Sequence, residues 1–431
     1  MSFIRALSSG VSGLRNHQMM MDIIGNNIAN INTIGFKGSR IAFGELFSQT
    51  LRGATHPTGQ SGGVNPMQVG LGARVTTVHT SFTQGNIEAT GYSTDLAIQG
   101  NGFFIVQKDG QPYYTRVGTF HFDSTGRLVH SGNGSVLQGK MADARGNIPE
   151  GTRIENIQIA ADMKAPAQAT TLVKYAGNLN ANAEVGTEFN GTVSIFDSLG
   201  NRHALTVTFT KLGDNEWSWK VTLPDPENPG EELVVGGGPE ATVGFDGNGV
   251  IRSLNGAELD AGTAVDLPVS FLPPGGANPV ELNIEIGKAM QFSGVTQSEG
   301  SSNLSPREQN GYGSGTLTDI YLDQNGKVIG TFTNGTVLTL AQIMVAEFSN
   351  PSGLLKAGDN LLELSSNSGM AAIVSPETSA ISIFSGALEM SNVDLAEEFT
   401  RMIVAQRGFQ SNARVISVSD EILNEVVNLK R

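Results

Sequence analysis

The chain has 431 residues, enough for roughly three domains at about 150 residues each, with 27 basic against 41 acidic side chains, a formal net charge of −14 and no cysteine. A surface this acidic excludes nucleic acid and anionic lipid as main partners, and the absence of thiols excludes disulfides, thiolate metal sites and a cysteine nucleophile. The 39% of hydrophobic residues exclude a disordered chain, and 54 glycines without a G-X-Y period indicate many turns.

The N-terminal segment has the periodicity of a long helix. Apolar residues recur at alternating intervals of three and four, and Gln18 and Gly25 interrupt the stripe. The apolar positions are Ile4, Leu7, Val11, Leu14, Met21 and Ile28. The start lacks the basic and apolar regions of a secretory signal, and no stretch is long enough to span a bilayer. These rules alone predict a cytoplasmic protein without membrane insertion.

The middle of the chain changes to a period of two, which is typical of strands. The Gly- and Pro-rich residues 53–72 predict a flexible or extended connector. Residues 96–98 and 103–106 flank a Gly-Asn-Gly turn and predict a hairpin, and residues 320–322 and 327–332 predict another around Asp323-Gln-Asn-Gly.

Three further segments alternate apolar and polar residues: 191–196, 203–210 and 216–223. Turn residues separate them at 197–201 and 213–215, so they predict a three-stranded antiparallel meander. Trp217 and Trp219 would share one face of the third strand. Two tryptophans at this spacing are typical of a core, although an exposed pair would favour a carbohydrate site.

The C-terminal segment predicts a second helix of about 35 residues, roughly 50 Å long. Its apolar residues Leu395, Met402, Phe409, Ile416 and Leu423 recur every seven positions. Companion positions four residues later hold Phe399, Ala413 and Val427, with Gln406 and Asp420 as interruptions. Asp394 and Glu397 could form a capping box at its start. Two narrow apolar stripes at opposite ends of one chain predict that the helices pair with each other as a coiled coil.

The predicted fold class is therefore α+β and multidomain, with the terminal helices paired as a coiled coil and two mostly antiparallel β domains inserted between them. No enzyme, cofactor or metal site is predicted. Residues 134–141 match a P-loop except that Met141 replaces the Mg²⁺-binding hydroxyl, and residues 59–63 match G-x-S-x-G without the required strand and helix. Asp246 and Asp323 begin loops that lack the final glutamate of a calcium site, so turns are predicted there.

Three sequence blocks resemble the signatures of the bacterial flagellar axial proteins of the rod and hook. They are 25–37 (GNNIANINTIGFK), 94–106 (TDLAIQGNGFFIV) and 387–410, which contains ALEMSNVDL and EFTRMIVAQRGFQ. The residues that carry the resemblance at the two ends are Asn26, Asn27, Asn30, Asn32, Gly35, Phe36, Asn392, Asp394, Gln406 and Arg407. Within that family the long segment between residues 106 and 387 favours a hook subunit over the shorter rod subunits.

The resemblance implies a structural subunit that polymerises into a curved flexible tube, a universal joint that transmits torque from rod to filament and encloses the export channel. It implies that the chain packs against copies of itself through the apolar positions of both helices. The alternatives are a distal rod subunit or, less favoured, a secreted β-rich carbohydrate-binding protein.

The resemblance also implies an arrangement of domains. Residues 1–32 with 392–431 would form an inner helical domain, and 33–91 with 377–391 a connector. Residues 92–175 with 288–376 would form an inner β domain, and 176–287 an outer β domain.

The implied partners are the chain itself, the distal rod, hook cap and hook-filament junction proteins, and the flagellar type III export apparatus. The chain would be extracellular, exported without a cleaved signal peptide, which replaces the cytoplasmic prediction above.

Overall fold

The computed structural model describes residues 2–57, 62–151, 153–225 and 231–428, and side chains from residue 5 onward. Helix α1 spans Ser2–Ala29 and helix α2 spans Leu395–Asn428, while the described residues between them are built mainly of strands. The α+β class and both predicted helices are confirmed. With 34 residues, α2 is about 51 Å long at about 1.5 Å per residue.

The start of α2 follows from its first residues. Asp394 Oδ1 accepts hydrogen bonds from the backbone N–H groups of Ala396 at 2.8 Å and Glu397 at 3.1 Å, so Asp394 is the N-cap. In a complete capping box the Glu397 carboxylate would accept the backbone N–H of Asp394. Here that carboxylate instead forms an ion pair with Arg401, 2.5 Å from its Nη2.

The chain divides into two compact units. The first comprises Met1–Ala160, Tyr321–Ile329 and Thr339–Arg431, and the second comprises Ala161–Ile320 and Gly330–Leu338. Both helices belong to the first unit. The finer four-part division given above stays a prediction.

The N-terminal part of the first unit contains short antiparallel pairs. Its strands are β1 (Ser39–Glu45), β2 (Ser48–Arg52), β3 (Met67–Gly70), β4 (Ala73–Thr80), β5 (Ile87–Ala89), β6 (Leu96–Gln99), β7 (Phe103–Lys108), β8 (Gln111–Thr115), β9 (Phe120–Phe122), β10 (Leu128–His130), β11 (Val136–Met141) and β12 (Glu155–Asn156). Strand β1 pairs with β4, and β2 pairs with β3. The described residues of the predicted connector 53–72 include β3, which forms an exposed hairpin with β2 and is therefore extended. Residues 134–141 include strand β11, where a P-loop would need a helix.

The second unit has two sheets around one apolar core. Their strands are β14 (Leu172–Asn180), β15 (Glu188–Phe196), β16 (Arg202–Gly213), β17 (Glu216–Pro224), β18 (Glu232–Phe245), β19 (Ile251–Leu254), β20 (Ala257–Glu258), β21 (Ala264–Phe271), β22 (Val280–Lys288), β23 (Val295–Ser298) and β24 (Ser305–Gln309). Strand β13 (Lys164–Ala165) lies outside these two sheets and pairs with Gly315 and Thr316. Strands β15 to β20 form one sheet in chain order, which confirms the predicted meander. Trp217 and Trp219 are 0% and 3% exposed within the core, so they offer no carbohydrate surface.

The remaining strands return the chain to α2. They are β25 (Gly315–Leu322), β26 (Lys327–Phe332), β27 (Val337–Ile343), β28 (Val345–Glu347), β29 (Leu355–Gly358), β30 (Leu361–Glu363), β31 (Ala372–Val374), β32 (Ser382–Ser385) and β33 (Ala387–Glu389). The predicted hairpin of 96–98 with 103–106 is wrong, because β6 pairs with β32 while β7 pairs with β8. Leu96, Ala97 and Ile98 are all fully buried, so β6 is covered on both faces.

One turn construction recurs five times in the described chain. An aspartate Oδ1 accepts the N–H groups of the second and fourth residues after it, and the glycine three residues on has a φ between 71° and 85°. The aspartates are Asp123, Asp143, Asp197, Asp246 and Asp323. The turns predicted at Asp246 and Asp323 are therefore confirmed. Each carboxylate stabilises its own backbone loop.

These turns predict a loss of stability in acid. Backbone hydrogen bonds hold the pKa of Asp123, Asp143 and Asp246 below the usual value of 3.8. A carboxyl with a depressed folded-state pKa stabilises the protein above its unfolded pKa, and that stability is lost as the pH falls through the folded pKa. We expect Asp246→Asn, which keeps the acceptor oxygen but cannot titrate, to flatten the decrease in unfolding free energy below about pH 4. Tryptophan fluorescence in urea, measured from pH 7 to pH 2, checks this.

The exposed carboxyl variant Glu281→Gln, on β22 of the same unit, is the control. If Asp246→Asn and Glu281→Gln show the same pH profile as the parent chain, the turn carboxylates do not govern acid stability.

Candidate assembly interface

A buried carboxylate lies where the segments next to both helices meet the β strands of the first unit. Glu389, at the end of β33, has a fully buried side chain. Its Oε1 is 2.6 Å from Lys37 Nζ and accepts the N–H of Gly85 at 2.8 Å, and its Oε2 is 3.3 Å from Arg116 Nη1. The side chains of Lys37 and Arg116 are only 4% and 2% exposed. Three charges thus share one buried site.

Each cation of this cluster has further partners. Lys37 Nζ donates to the carbonyl of Thr83 at 2.7 Å, and Arg116 Nη2 donates to the carbonyl of Gly100 at 2.7 Å. The Arg116 guanidinium also lies 5.0 Å from the centroid of the Phe103 ring. Burial lowers the pKa of Lys37 and of Arg116, and Glu389 opposes that shift in both. Because the cluster has two cations and one anion, Glu389 is indispensable to it.

Two asparagines of the family signature close the junction beside this cluster. Asn27, which is 1% exposed at the end of α1, donates to the carbonyl of Ser39 at 2.7 Å and accepts its N–H at 3.0 Å. Asn392, just before α2, accepts the N–H of Gly38 at 2.9 Å and donates to the carbonyl of Ser81 at 2.9 Å. The two side-chain amides therefore satisfy backbone N–H and C=O groups at the start of β1 and just after β4.

Gly35 and Phe36 fix the turn that leaves α1. Gly35 has a φ of +66°, its N–H donates to the carbonyl of Glu389 at 2.8 Å, and a Cβ there would lie 2.9 Å from the backbone nitrogen of Val117. Only glycine fits this conformation and this approach. Phe36 is 7% exposed, and Lys356 Nζ lies 5.4 Å from its ring centroid.

The two helices pack against each other in antiparallel orientation. Gly10 lies against Ile416, Gly13 against Asn412, and Gly408 against the ring of His17. A Cβ at Gly13 would come within 2.5 Å of Asn412 Oδ1, so the side chains of the facing helix fill the space that the glycines leave.

The residues of α2 buried by this contact differ from the predicted companion positions. Glu398, Ala405 and Ser419 are its buried residues, and Asn412 in the same heptad series is half-buried. These residues stand three positions after the apolar residues that recur every seven positions. The predicted companions Phe399, Ala413 and Val427 stand four positions after them. Of the predicted companions, Phe399 and Val427 are 49% and 66% exposed, while Ala413 is half-buried like Asn412. Small and polar residues at a helix contact are not registered by an apolar pattern.

The predicted packing residues fall into two groups. The half-buried ones are Leu7, Val11, Leu14, Met21, Ile28, Met402, Phe409 and Ile416. Leu395, Phe399 and Leu423 are 42%, 49% and 38% exposed, so they are available to another molecule. Ile4 lies outside the described side chains. Whether these residues pack between copies stays a prediction.

The remaining signature residues lie on the surface. Asn26, Asn32, Gln406 and Arg407 are exposed, Asn30 donates to the carbonyl of Asn26 at 2.9 Å, and Asp394 caps α2. Lys37, Arg116 and Glu389 were not predicted as functional residues. Lys37 and Glu389 lie within two of the sequence blocks that carry the family resemblance, and this could have identified them, whereas no local pattern identifies Arg116.

Ten apolar side chains of α2 are exposed to solvent in the single chain. They are Leu395, Phe399, Ile403, Val404, Val415, Val418, Ile422, Leu423, Val426 and Val427. Exposed apolar side chains in this number on one helix favour a protein-protein contact. The exposed apolar residues of α2, with the junction that anchors the helix, are the candidate assembly interface.

Other motifs leave no competing site in the described residues. No group of three or more histidine or acidic side chains there is placed to hold a metal ion, and no described helix is long and apolar enough to cross a membrane. The G-x-S-x-G match at 59–63 lies mostly outside the described residues.

Comparison with protein families gives four matches along the chain. Residues 7–37 match the flagella basal body rod protein model, and 97–173 match the flagellar hook protein FlgE/F/G D1 domain. Residues 170–312 match the flagellar basal body protein FlaE D2 domain, and 385–429 match the flagellar basal body rod FlgEFG protein C-terminal model.

Relatives match over the full length. The flagellar hook protein FlgE of Borreliella burgdorferi is 40% identical, that of Treponema pallidum 36% and that of Escherichia coli 34%, each covering 99% of this chain and 100% of the relative. A crystal structure of Helicobacter pylori flagellar hook protein FlgE2 is 14% identical with a TM-score of 0.48, covering 70% of this chain and 100% of that one, a likeness too weak to carry an inference.

Because the cluster is buried, we expect a single conservative substitution in it to destabilise the first unit strongly. Glu389→Gln keeps the side-chain shape but leaves Lys37 and Arg116 without a counter-charge, which should reduce the unfolding free energy of the first unit by about 3–5 kcal/mol. Urea unfolding followed by circular dichroism measures it.

Glu377→Gln is the matched control, since Glu377 pairs with Lys327 at 3.0 Å but is 52% exposed. An exposed pair contributes about 0–1 kcal/mol. Equal effects of the two variants would show that the buried cluster does not hold the junction.

Proposed function

The chain belongs to the flagellar hook protein family and is a structural subunit of the bacterial flagellar hook, and we propose that its copies polymerise through the paired terminal helices into a curved flexible tube. The observation that carries the proposal is the set of exposed apolar residues on α2, which the chain's own described residues leave uncovered. A heterologous contact, in which one surface of a subunit meets a different surface of the next, generates a helical filament when the rotation between copies does not close.

We propose that α1 and α2 form the inner coiled-coil layer of this tube and enclose the export channel. Their antiparallel contact through Gly10, Gly13 and Gly408 supports a thin, tightly packed wall. The predicted packing residues would then serve contacts with neighbouring copies. The exposed Leu395, Phe399 and Leu423 would be the first to be buried on assembly.

The strand-rich body would carry the bending. In the proposed four-part division, a connector and two β domains extend outward from the helical layer, and neighbouring copies slide past one another at their β surfaces. Sliding at the outside with a closed channel inside is what a universal joint between rod and filament needs in order to transmit torque.

The proposed partners follow from membership of the family. They are other copies of the chain, the distal rod, the hook cap, the hook-filament junction proteins and the type III export apparatus. The chain would leave the cell unfolded, without a cleaved signal, and reside outside the cell in the hook. A distal rod subunit is the alternative, against which the full-length matches to hook proteins stand.

Electron microscopy of basal bodies from a strain that lacks the chain tests the function. We expect rods that end at the outer membrane without a hook, restored to curved hooks by the parent chain. Truncated rods would assign the chain to the distal rod, and intact hooks with filaments would contradict the proposal.

The assembly surface predicts a specific defect. Phe399→Asp with Leu423→Asp places charges at positions that we propose copies must desolvate, so hooks should disappear while the chain is still exported and the purified monomer stays soluble and folded. Hook counts, the amount of secreted chain and the helical circular dichroism of the purified monomer are the measurements.

Met370→Asp is the control, because Met370 is 90% exposed in the β body. Normal hooks from the double variant would remove the exposed apolar residues of α2 from the assembly contact.

A further inference from the structure

One line along α2 faces directly away from α1. Arg414 is nine residues from the buried Ala405, which is about two and a half turns at 3.6 residues per turn and therefore half a turn around the helix. Arg407 and Glu421 are seven residues to either side of Arg414, so they lie on the same line, and Glu425 follows one turn later. We name Arg407, Arg414, Glu421 and Glu425 the outer charge stripe.

The outer charge stripe changes sign along its length. Its first half is basic and its second half is acidic, and all four residues are exposed. Within the described part of the chain none of them forms an ion pair, whereas Arg401, six residues before Arg407, is paired with Glu397 and Glu398.

Apolar residues border the stripe on the same face. Ile403 and Val418, four residues from Arg407 and Arg414, are 53% and 52% exposed and lie within about 40° of the stripe around the helix. Charges beside an exposed apolar stripe are the pattern that sets partner and register in helix pairing. The stripe is therefore built like one side of a helix-helix contact whose other side is absent from the single chain.

We propose that the outer charge stripe contacts α2 of a second copy, parallel to the first and displaced along the axis, so that the acidic half of one copy meets the basic half of the next. This proposal rests on the proposed polymerisation. An unshifted parallel pair would place arginine beside arginine and glutamate beside glutamate, which is repulsive. The centres of the two halves are separated by about 12 residues, so the displacement is roughly 19 Å at 1.5 Å per residue.

A displaced contact has a consequence for the assembly as a whole. When the acidic half of one copy has met the basic half of the next, the first copy still has a free basic half and the second a free acidic half. Each added copy therefore presents the same unsatisfied half again, and the series stays open. This is the behaviour of a heterologous contact, which grows into a filament rather than closing into a dimer.

Charge reversal with compensation tests the proposal. Arg407→Glu with Arg414→Glu makes the whole stripe acidic and should reduce the number of hooks per cell by roughly tenfold or more, since like charges then meet at every contact. Adding Glu421→Arg and Glu425→Arg restores opposite charges across the displaced contact, and we expect hooks to return. The quadruple variant has the same net charge as the parent chain.

Two measurements accompany the hook counts. The amount of secreted chain excludes an export defect, and circular dichroism of the purified monomer excludes loss of the helices. Arg145→Glu with Arg153→Glu is the matched control, since both residues are exposed in the β body and the charge change is the same. This control should leave hook numbers unchanged.

The outcomes separate the two proposals. Failure of the parent chain to restore hooks would contradict the proposed function itself. With the parent chain active, normal hooks from the double reversal, or no rescue in a secreted and folded quadruple variant, would overturn the displaced contact. Purified parent chain that forms only closed dimers in light scattering would also overturn it, because an antiparallel pair satisfies the stripe without displacement.

Discussion

The buried Glu389 carboxylate is the interaction on which the arrangement of the first unit depends. It joins Lys37, at the exit of α1, to the residues that lead into α2, across a separation of 352 residues in the chain. A carboxylate in a buried site must be neutralised, and Lys37 and Arg116 leave it few alternative positions. The two helices can therefore lie side by side because the cluster brings their ends out of the β body at one place. Asn27, Asn392 and Gly35 then fill the remaining backbone partners of that junction.

The contact between the helices follows a different logic. Glycines and small side chains line it beside half-buried residues such as Met402, Phe409 and Ile416. Other apolar side chains of α2, such as Phe399 and Ile403, are left exposed, where a monomer gains nothing from them. A subunit built for assembly has this distribution, because the stability that a single chain forgoes becomes available when copies meet.

Local periodicity was enough to predict both helices, the N-cap Asp394, the meander of β15 to β17 and the turns at Asp246 and Asp323. These features depend on residues within a few positions of each other. The pairing of β6 with β32 and the contact of Arg116 with Glu389 depend on residues that are far apart in the sequence. Arg116 and Glu389 are separated by 273 positions, and the paired residues of β6 and β32 by still more. Hydrophobic pattern does not encode such partners. It also missed the small and polar residues of α2 at the helix contact, since a glycine contact carries no apolar signal.

The buried charges around Glu389 and the exposed charges of the outer charge stripe would then have different roles in the subunit. Around Glu389 the charges are almost fully buried, so separating any of them from its partner costs several kcal/mol and the junction behaves as a rigid unit. On the outer charge stripe the side chains are exposed, each pair would be worth about 1 kcal/mol or less, and salt screens it. Contacts between exposed charges can break and re-form as copies shift by small distances. A tube made of rigid subunits joined by weak, repeated contacts bends without unfolding any of its parts, and this is the physical basis on which a flexible hook could still transmit torque.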